Sequence, residues 1–126
     1  MSLTDLALEQ SAPRSWLFVP ASRPDRFAKA CDSGADAVII DLEDAVAPDA
    51  KDAARESVVS FVSDGGGSVN IPVFVRLNDI RTANGSRDVL AVCDAVCVNT
   101  NRAVAGVVMP KVSCADDVTL VSDVMD

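Results

Sequence analysis

The sequence predicts an α/β fold in which parallel strands alternate with helices that pack outside them. Short apolar runs recur along the chain, as expected of strands buried on both faces of a parallel sheet. A segment with helical spacing follows each main run, and this order implies right-handed crossovers. Charged residues follow every main strand, and the first strand lacks the glycine-rich turn of a dinucleotide-binding sheet. Both features favour a (β/α)8 TIM barrel over a doubly wound sheet. Because such a barrel takes about 250 residues, the 126 residues correspond to about its first half.

The first two strand–helix units are marked by their boundaries. An apolar strand over residues 14–20 ends in proline, and a helix then runs from a candidate cap at Ser22 to Gly34. A second strand covers residues 36–41. The next helix begins at Pro48 and continues with apolar residues at helical spacing.

The remaining sequence continues the alternation. The glycine-rich segment 64–68 predicts a flexible loop and not a phosphate site, because no Gly-Lys-Ser/Thr follows it. The later predicted elements are a strand over 71–76, a helix over 86–93, a short extra strand over 94–98, a strand over 106–111 and a helix over 116–125. Residues 1–13 lack a signal-peptide pattern and predict a flexible arm. Residues 14–126 are interpreted as the N-terminal part of a barrel domain.

Composition restricts the partners and the chemistry. The net charge of −8 argues against nucleic acid and anionic membranes, and no apolar run approaches the roughly 20 residues of a spanning helix. We therefore expect a small-molecule ligand. The sequence has no histidine, so a Ser-His or Cys-His nucleophile cannot be built from these residues. Its four cysteines form neither a CxxC pair nor a zinc-like set, which predicts a reducing cytoplasm.

Three carboxylates directly follow the second strand: Asp41, Glu43 and Asp44. The carboxyl ends of parallel strands are where α/β folds place their chemistry, and alternation puts Asp41 and Glu43 on one side. Mutual repulsion raises at least one pKa unless a cation or arginine is near, so the group suits proton transfer or a metal-bound water network. In the alternative interpretation, Glu43 and Asp44 cap the next turn while Asp41 makes a structural ion pair.

Arg76 ends the third strand in the same way. Its planar guanidinium matches a carboxylate in bidentate geometry, which predicts a keto-acid or dicarboxylic substrate. The alternative is a fixed ion pair with Asp41 or Glu43, and such a pair could open to receive substrate. Asn78 could add a neutral contact or simply close a turn.

Two further basic positions have open interpretations. Arg26 and Lys29 lie three residues apart on a helix and could bind a phosphate-bearing ligand such as a coenzyme A thioester, although a solvated helix face paired with Asp25 and Asp32 fits the spacing better. Lys111 ends a later strand, where a Schiff-base lysine is conceivable, but nothing nearby in the sequence explains a lowered pKa.

Several of these segments, in this order, resemble the citrate lyase β-subunit-like family. The matching segments are 14–20, 23–27, 34–46, 75–78 and 106–111. The resemblance implies a barrel of the pyruvate and 2-keto-acid aldolase superfamily that depends on Mg²⁺. Members cleave or form carbon–carbon bonds of citryl-CoA, malyl-CoA and related thioesters by retro-aldol or retro-Claisen chemistry. An acyl-CoA thioesterase, a 2-keto-acid aldolase and a non-catalytic barrel fragment are the alternatives.

The resemblance also implies residue roles. Arg76 would bind the substrate carboxylate, while Phe18 and Lys29 would contact the acyl-CoA or nucleotide portion. The acidic residues beside the metal would be Asp41, Glu43 and Asp44. We expect a homo-oligomer, either a trimer or a hexamer.

This sequence departs from the family pattern at a few positions. Ala21 stands where members usually carry glycine, and Ser113 where they often carry glutamate. The family's two acidic magnesium ligands, a glutamate and an aspartate, belong to later strands beyond Asp126. No metal ligand is therefore expected among these residues.

Overall fold

The structure, a computed structural model, describes residues 12–66, 70–98 and 103–126. The strands are β1 (Trp16–Pro20), β2 (Ala37–Asp41), β3 (Val73–Arg76) and β4 (Gly106–Val108). The α-helices are α1 (Phe27–Cys31), α2 (Lys51–Ser63), α3 (Ala83–Val98) and α4 (Ala115–Met125), and 3-10 turns over Pro24–Arg26 and Pro48–Ala50 precede α1 and α2. Nearly all of the predicted arm, residues 1–11, and the end of the predicted loop 64–68 lie outside the described residues.

The strands form one parallel sheet in the order β1-β2-β3-β4. A doubly wound sheet reverses its strand order at a switch point, whereas a barrel adds each strand beside the previous one. The observed order is that of the first strands of a barrel. It confirms the predicted fold class.

The strand register brings the predicted charges together. Asp41, the last residue of β2, lies opposite both Pro20 of β1 and Arg76 of β3, and Arg76 lies opposite Val108 of β4. Neighbouring strands are about 4.8 Å apart, and residues in register point to the same face of the sheet. Asp41 and Arg76 therefore project side by side from the carboxyl ends of their strands.

The two faces of the sheet have different environments. One face packs with the helices in a buried core; its strand residues are Val19, Val38, Ile40, Val73 and Val75. The opposite face carries Trp16, Phe18, Ile39 and Phe74 below the two charges. Trp16 and Phe18 are 45% and 48% exposed. The candidate site thus lies on the face that the described helices leave open.

The first helix is shorter than predicted. The residue that precedes the opening 3-10 turn is Arg23, and no side chain caps this turn, so the prediction of Ser22 as a cap was wrong. Helix α1 ends at Cys31, where the Ser33 hydroxyl donates to the Ala30 carbonyl at 2.7 Å. Gly34 follows with φ of 90°, a conformation that favours glycine.

The predicted extra strand over 94–98 was also wrong, because these residues continue α3 to Val98. The buried positions of α3 include Val89, Val92 and Cys93, which recur at helical spacing and pack into the core. The helix also begins earlier than predicted, because the Thr82 hydroxyl accepts a hydrogen bond from the Gly85 N–H at 3.0 Å.

Among the helices that the structure describes, none combines the length and the apolar character needed to cross a membrane.

Candidate active site

The carboxyl ends of β2, β3 and β4, here called the rim, carry a close group of charged side chains. Arg76 donates from Nε to Asp41 Oδ1 at 2.8 Å and from Nη2 to Asp41 Oδ2 at 2.7 Å. Its third nitrogen, Nη1, lies 3.6 Å from Glu43 Oε1. The structure therefore brings Arg76, Asp41 and Glu43 together at one place.

Asp41 uses both carboxylate oxygens within the fold. Besides the arginine, Oδ1 accepts from the Glu43 N–H at 2.9 Å and Oδ2 from the Ala45 N–H at 3.1 Å. Burial alone would raise the pKa of Asp41, but the hydrogen bonds from Arg76 and from these two amides outweigh it, and the pKa lies below its usual value. Asp41 is therefore an ionised group that orients Arg76 and closes the following turn.

Glu43 is held by a second cation, Lys111, beyond the end of β4. Lys111 Nζ lies 2.6 Å from Glu43 Oε2, and its backbone adopts a positive φ of 52°. The hydrogen bond to Glu43 raises the pKa of Lys111. A Schiff-base lysine needs a lowered pKa, so this geometry weighs against that role and in favour of an electrostatic one.

Together these side chains form a row of alternating charge, Asp41–Arg76–Glu43–Lys111, which we call the charge row. The Asp41 and Glu43 side chains are only 1% and 7% exposed, whereas those of Arg76 and Lys111 are 23% and 59% exposed. Asp44 lies at the surface, and its charge contributes to the raised pKa values of Arg76 and Lys111. In the row, the cations are thus the more accessible members, an arrangement suited to binding an anion.

Phe18 connects the charge row to a cleft along β1. The Arg76 Cζ atom lies 4.8 Å from the centroid of the Phe18 ring, within the range of a cation–π contact. Phe18 also lines an open cleft of about 520 Å³ together with Arg26 and Lys29. Phe18 and Lys29, the two residues that the family resemblance places against the coenzyme, therefore border the same cleft.

Two polar side chains that the sequence did not single out for this role support the rim from behind. Lys51 Nζ donates to the carbonyls of Leu42 and Glu43 at 3.0 and 2.9 Å. Asn78 Nδ2 donates to the Leu42 carbonyl at 3.0 Å. Lys51 carries no sequence signal for this role, while the position of Asn78 just after Arg76 allowed only a general expectation of a contact or a turn.

The described residues do not form a magnesium site. Within these segments, no group of three or more His, Cys, Asp or Glu side chains is arranged to hold a metal ion. The two buried carboxylates, Asp41 and Glu43, are already paired with Arg76 and Lys111.

Comparison with known families and proteins shows which family this chain resembles. The family described as HpcH/HpaI aldolase/citrate lyase matches residues 14–126. The chain is 38% identical over 107 residues to the L-malyl-CoA/beta-methylmalyl-CoA lyase of Rhodobacter capsulatus, covering 83% of this chain and 31% of that protein. It is 39% identical over 109 residues to the citrate lyase subunit beta-like protein of Mycobacterium tuberculosis, covering 86% and 35%. The chain thus spans about a third of the length of these curated relatives.

Solved structures of the citrate lyase beta subunit and of CitE resemble this chain in both fold and sequence. The citrate lyase beta subunit from M. tuberculosis, in complex with oxaloacetate and magnesium, superposes with a TM-score of 0.66 at 37% identity, covering 89% of this chain and 44% of that one. The protein CitE from M. tuberculosis, in complex with magnesium, acetoacetate and coenzyme A, gives a TM-score of 0.64 at 35% identity, covering 88% and 37%.

Proposed function

Because the chain belongs to the HpcH/HpaI aldolase/citrate lyase family, we propose that it contributes the anion-binding part of the active site of a magnesium-dependent carbon–carbon lyase. The substrate class is a hydroxy-acid thioester of the citryl-CoA or malyl-CoA type, cleaved by a retro-aldol or retro-Claisen reaction. The names of the relatives support the class of reaction, and the solved complexes with magnesium support the cofactor.

The observation that carries the proposal is the exposure of the cations in the charge row. Asp41 occupies the Nε and Nη2 side of the guanidinium, which leaves the Nη1 and Nη2 end for a second carboxylate. The only contact near that end within the row is the longer one from Nη1 to Glu43. A substrate carboxylate can therefore pair with Arg76 while the bond to Asp41 stays intact, and Lys111 adds a second positive charge nearby.

The three rim carboxylates have different environments, and we assign them different roles. Asp41 orients Arg76, because both of its oxygens already accept hydrogen bonds. Glu43 and Asp44 are the candidates for moving protons, directly or through water. Glu43 lies between the two cations, and Asp44 is exposed at the rim.

The cleft beside Phe18 is the proposed place for the coenzyme. Lys29 and Arg26 border it with positive charge, which suits the phosphates of coenzyme A, and Phe18 provides an apolar surface next to Arg76. This arrangement would direct the acyl end of a thioester toward the charge row.

Magnesium is the proposed cofactor by analogy with the relatives, and when bound it would supply positive charge for a developing enolate oxygen. The described residues do not form its ligand set, so the roles assigned above do not depend on it. A homo-oligomeric assembly, a trimer or a hexamer, is a further prediction from the family resemblance, and the cysteine content predicts a cytoplasmic location.

Product analysis tests the proposed reaction. The protein is incubated with malyl-CoA or citryl-CoA and Mg²⁺, and the thioester products are separated by chromatography. A lyase releases acetyl-CoA and a 2-keto acid, whereas a thioesterase consumes water and releases free coenzyme A and a hydroxy acid. Cleavage of free keto-acid aldol products alone would indicate a simple aldolase. No turnover of any of these substrates would contradict an active lyase and favour the non-catalytic alternative.

A further inference from the structure

We infer that Asp88 is a positioning residue for the rim. It holds the Asn78 side chain so that Asn78 donates to the Leu42 carbonyl, and this link fixes the β2 end, which carries Glu43, against the β3 end, which carries Arg76. The inference deepens the proposed function and rests on it for its catalytic meaning.

Asp88 is a fully buried carboxylate on α3, with 0% exposure. Its Oδ2 atom accepts from the Asn78 backbone N–H at 2.8 Å and from Asn78 Nδ2 at 2.7 Å. Its Oδ1 atom accepts from Arg55 Nε at 2.8 Å. Asp88 therefore connects α2, α3 and the segment that follows β3.

The Asn78 amide has only one orientation that satisfies both neighbours. One Nδ2 hydrogen meets Asp88 and the other meets the Leu42 carbonyl. A flipped amide would place its oxygen against a carboxylate and a carbonyl, which are both acceptors. Asp88 and the Leu42 carbonyl together therefore determine which way the Asn78 amide points.

Arg55 fixes Asp88 in turn. Its Nη1 atom donates to Asp52 at 2.8 Å and its Nη2 atom to Asn84 at 2.9 Å, so its three nitrogens all have acceptors. Across the described residues, no buried side-chain nitrogen or oxygen lacks a hydrogen-bond partner. A fully satisfied buried network of this kind is rigid and specifies a single arrangement.

The close approach of α3 makes these contacts possible. Gly85 packs against the backbone of Asp79 and Ile80, and a Cβ atom at Gly85 would collide with the Asp79 carbonyl oxygen. This contact brings the first turns of α3, including Asp88, against the segment after β3. Both ends of the network reach the charge row, because Leu42 precedes Glu43 and Asn78 lies two residues after Arg76.

Lys51 makes it possible to distinguish a positioning role of Asp88 from a purely structural one. It holds the Leu42 and Glu43 carbonyls independently, from α2. Because Lys51 keeps the β2 end in place, loss of the Asp88–Asn78 link should shift the β3 end, with Arg76, relative to it without unfolding the protein. A purely structural buried residue would lower stability and leave the rim of the folded protein unchanged.

The test compares Asp88→Asn with Val92→Ala, a matched control one turn later on α3, since Val92 is buried but belongs to the core instead of the polar network. Both variants are measured at a temperature where each is folded. The first readout is the ¹H–¹⁵N NMR signal of the Arg76 Nε–H and of the Glu43 and Ala45 amides, without ligand. The second is the calorimetric affinity for oxaloacetate.

We expect Asp88→Asn to shift the Arg76 Nε–H signal and to weaken oxaloacetate binding about tenfold, while Val92→Ala lowers the melting temperature and changes neither. Asn78→Ala, which removes the donor to Leu42 and keeps the Arg55–Asp88 pair, should reproduce the effect and serves as the test if Asp88→Asn does not fold. Unchanged Arg76 signals in a folded Asp88→Asn or Asn78→Ala variant would overturn the inference. If the parent protein binds no oxaloacetate, the proposed function fails, and the NMR comparison still decides the role of Asp88.

Discussion

At the scale of single residues, the candidate site depends on which guanidinium nitrogens of Arg76 already donate hydrogen bonds to Asp41 and which remain available. The Nε and Nη2 atoms bind Asp41, and the opposite end of the guanidinium remains available beside Glu43. The sequence predicted that an ion pair and substrate binding could both hold if the pair opened. In the proposed binding mode the pair does not need to open, because the substrate carboxylate and Asp41 would use different sides of the same arginine.

The ionised state of Asp41 predicts how stability depends on pH. The folded-state pKa of Asp41 lies below its unfolded value, so its contribution is present above about pH 4 and is lost as the pH falls through the folded-state pKa. Asp41→Asn should therefore lower the free energy of unfolding at pH 7 and make its decline below pH 4 shallower. Urea unfolding between pH 7 and pH 3 measures both effects.

Asp117 offers an internal check on that prediction. Its pKa is also lowered, chiefly by the hydrogen bonds from Arg81, at a site distant in sequence from Asp41. The Asp41→Asn/Asp117→Asn double variant should show a shallower acid decline than either single variant. An Asp41→Asn variant with the acid decline of the parent protein would mean that Asp41 is not specifically stabilised in its ionised form.

Lys111 carries a separate prediction at this scale. Its raised pKa keeps the amine protonated near neutral pH, and a protonated amine is not a nucleophile. Incubation with pyruvate and sodium borohydride should therefore leave no reduced adduct on Lys111 in peptide mass spectra. A mass increase on this residue would show that it forms a Schiff base and would require a different role.

At the scale of elements, the sequence predicted those parts of the fold that depend on local signals. The apolar runs that end at Asp41 and Arg76 predicted β2, β3 and the convergence of their charges. The predicted strand over 94–98 was wrong because a short apolar run is ambiguous between a strand and a buried helix. The Glu43–Lys111 pair and the Arg55–Asp88 pair join residues 68 and 33 positions apart, and no local pattern encodes such contacts.

Gly85 gives the prediction that belongs to this scale. Replacing a helical glycine with alanine ordinarily stabilises a helix by about 1 kcal/mol, whereas forcing a side chain into a packed contact costs about 1–3 kcal/mol. At Gly85 the new side chain would collide with the Asp79 backbone, which cannot rotate away. The steric cost should therefore exceed the gain in helix propensity. We expect Gly85→Ala to lower the free energy of unfolding, measured by urea titration.

Ser86→Ala is the matched control, since Ser86 is exposed in the same turn of α3. It should leave stability unchanged or slightly higher, in line with helix propensity. A Gly85→Ala variant as stable as the parent protein would show that α3 does not need its close approach to the segment after β3.

At the scale of the whole molecule, the residues of the buried core and the residues of the candidate site lie on different faces of the sheet. The helices cover one face of the sheet and form the buried core, while the aromatic residues and the charge row occupy the other face and the rim. The molecule carries a net charge of −8, yet the accessible members of the charge row are cations. Local pairing of the carboxylates therefore leaves the cations as the accessible charges of the row, as the proposed anion site requires.

The central claim is that the free end of Arg76 binds a substrate carboxylate. The most direct measurement is a calorimetric titration of oxaloacetate into the parent protein, Arg76→Ala and the control Arg14→Ala, which removes the same charge from a side chain that is 92% exposed. A hydrogen bond to a charged group contributes about 1.5–3 kcal/mol, so Arg76→Ala should weaken binding about 10- to 150-fold, while Arg14→Ala stays within about twofold of the parent protein. Equal affinities of a folded Arg76→Ala variant and the Arg14→Ala control would contradict the claim.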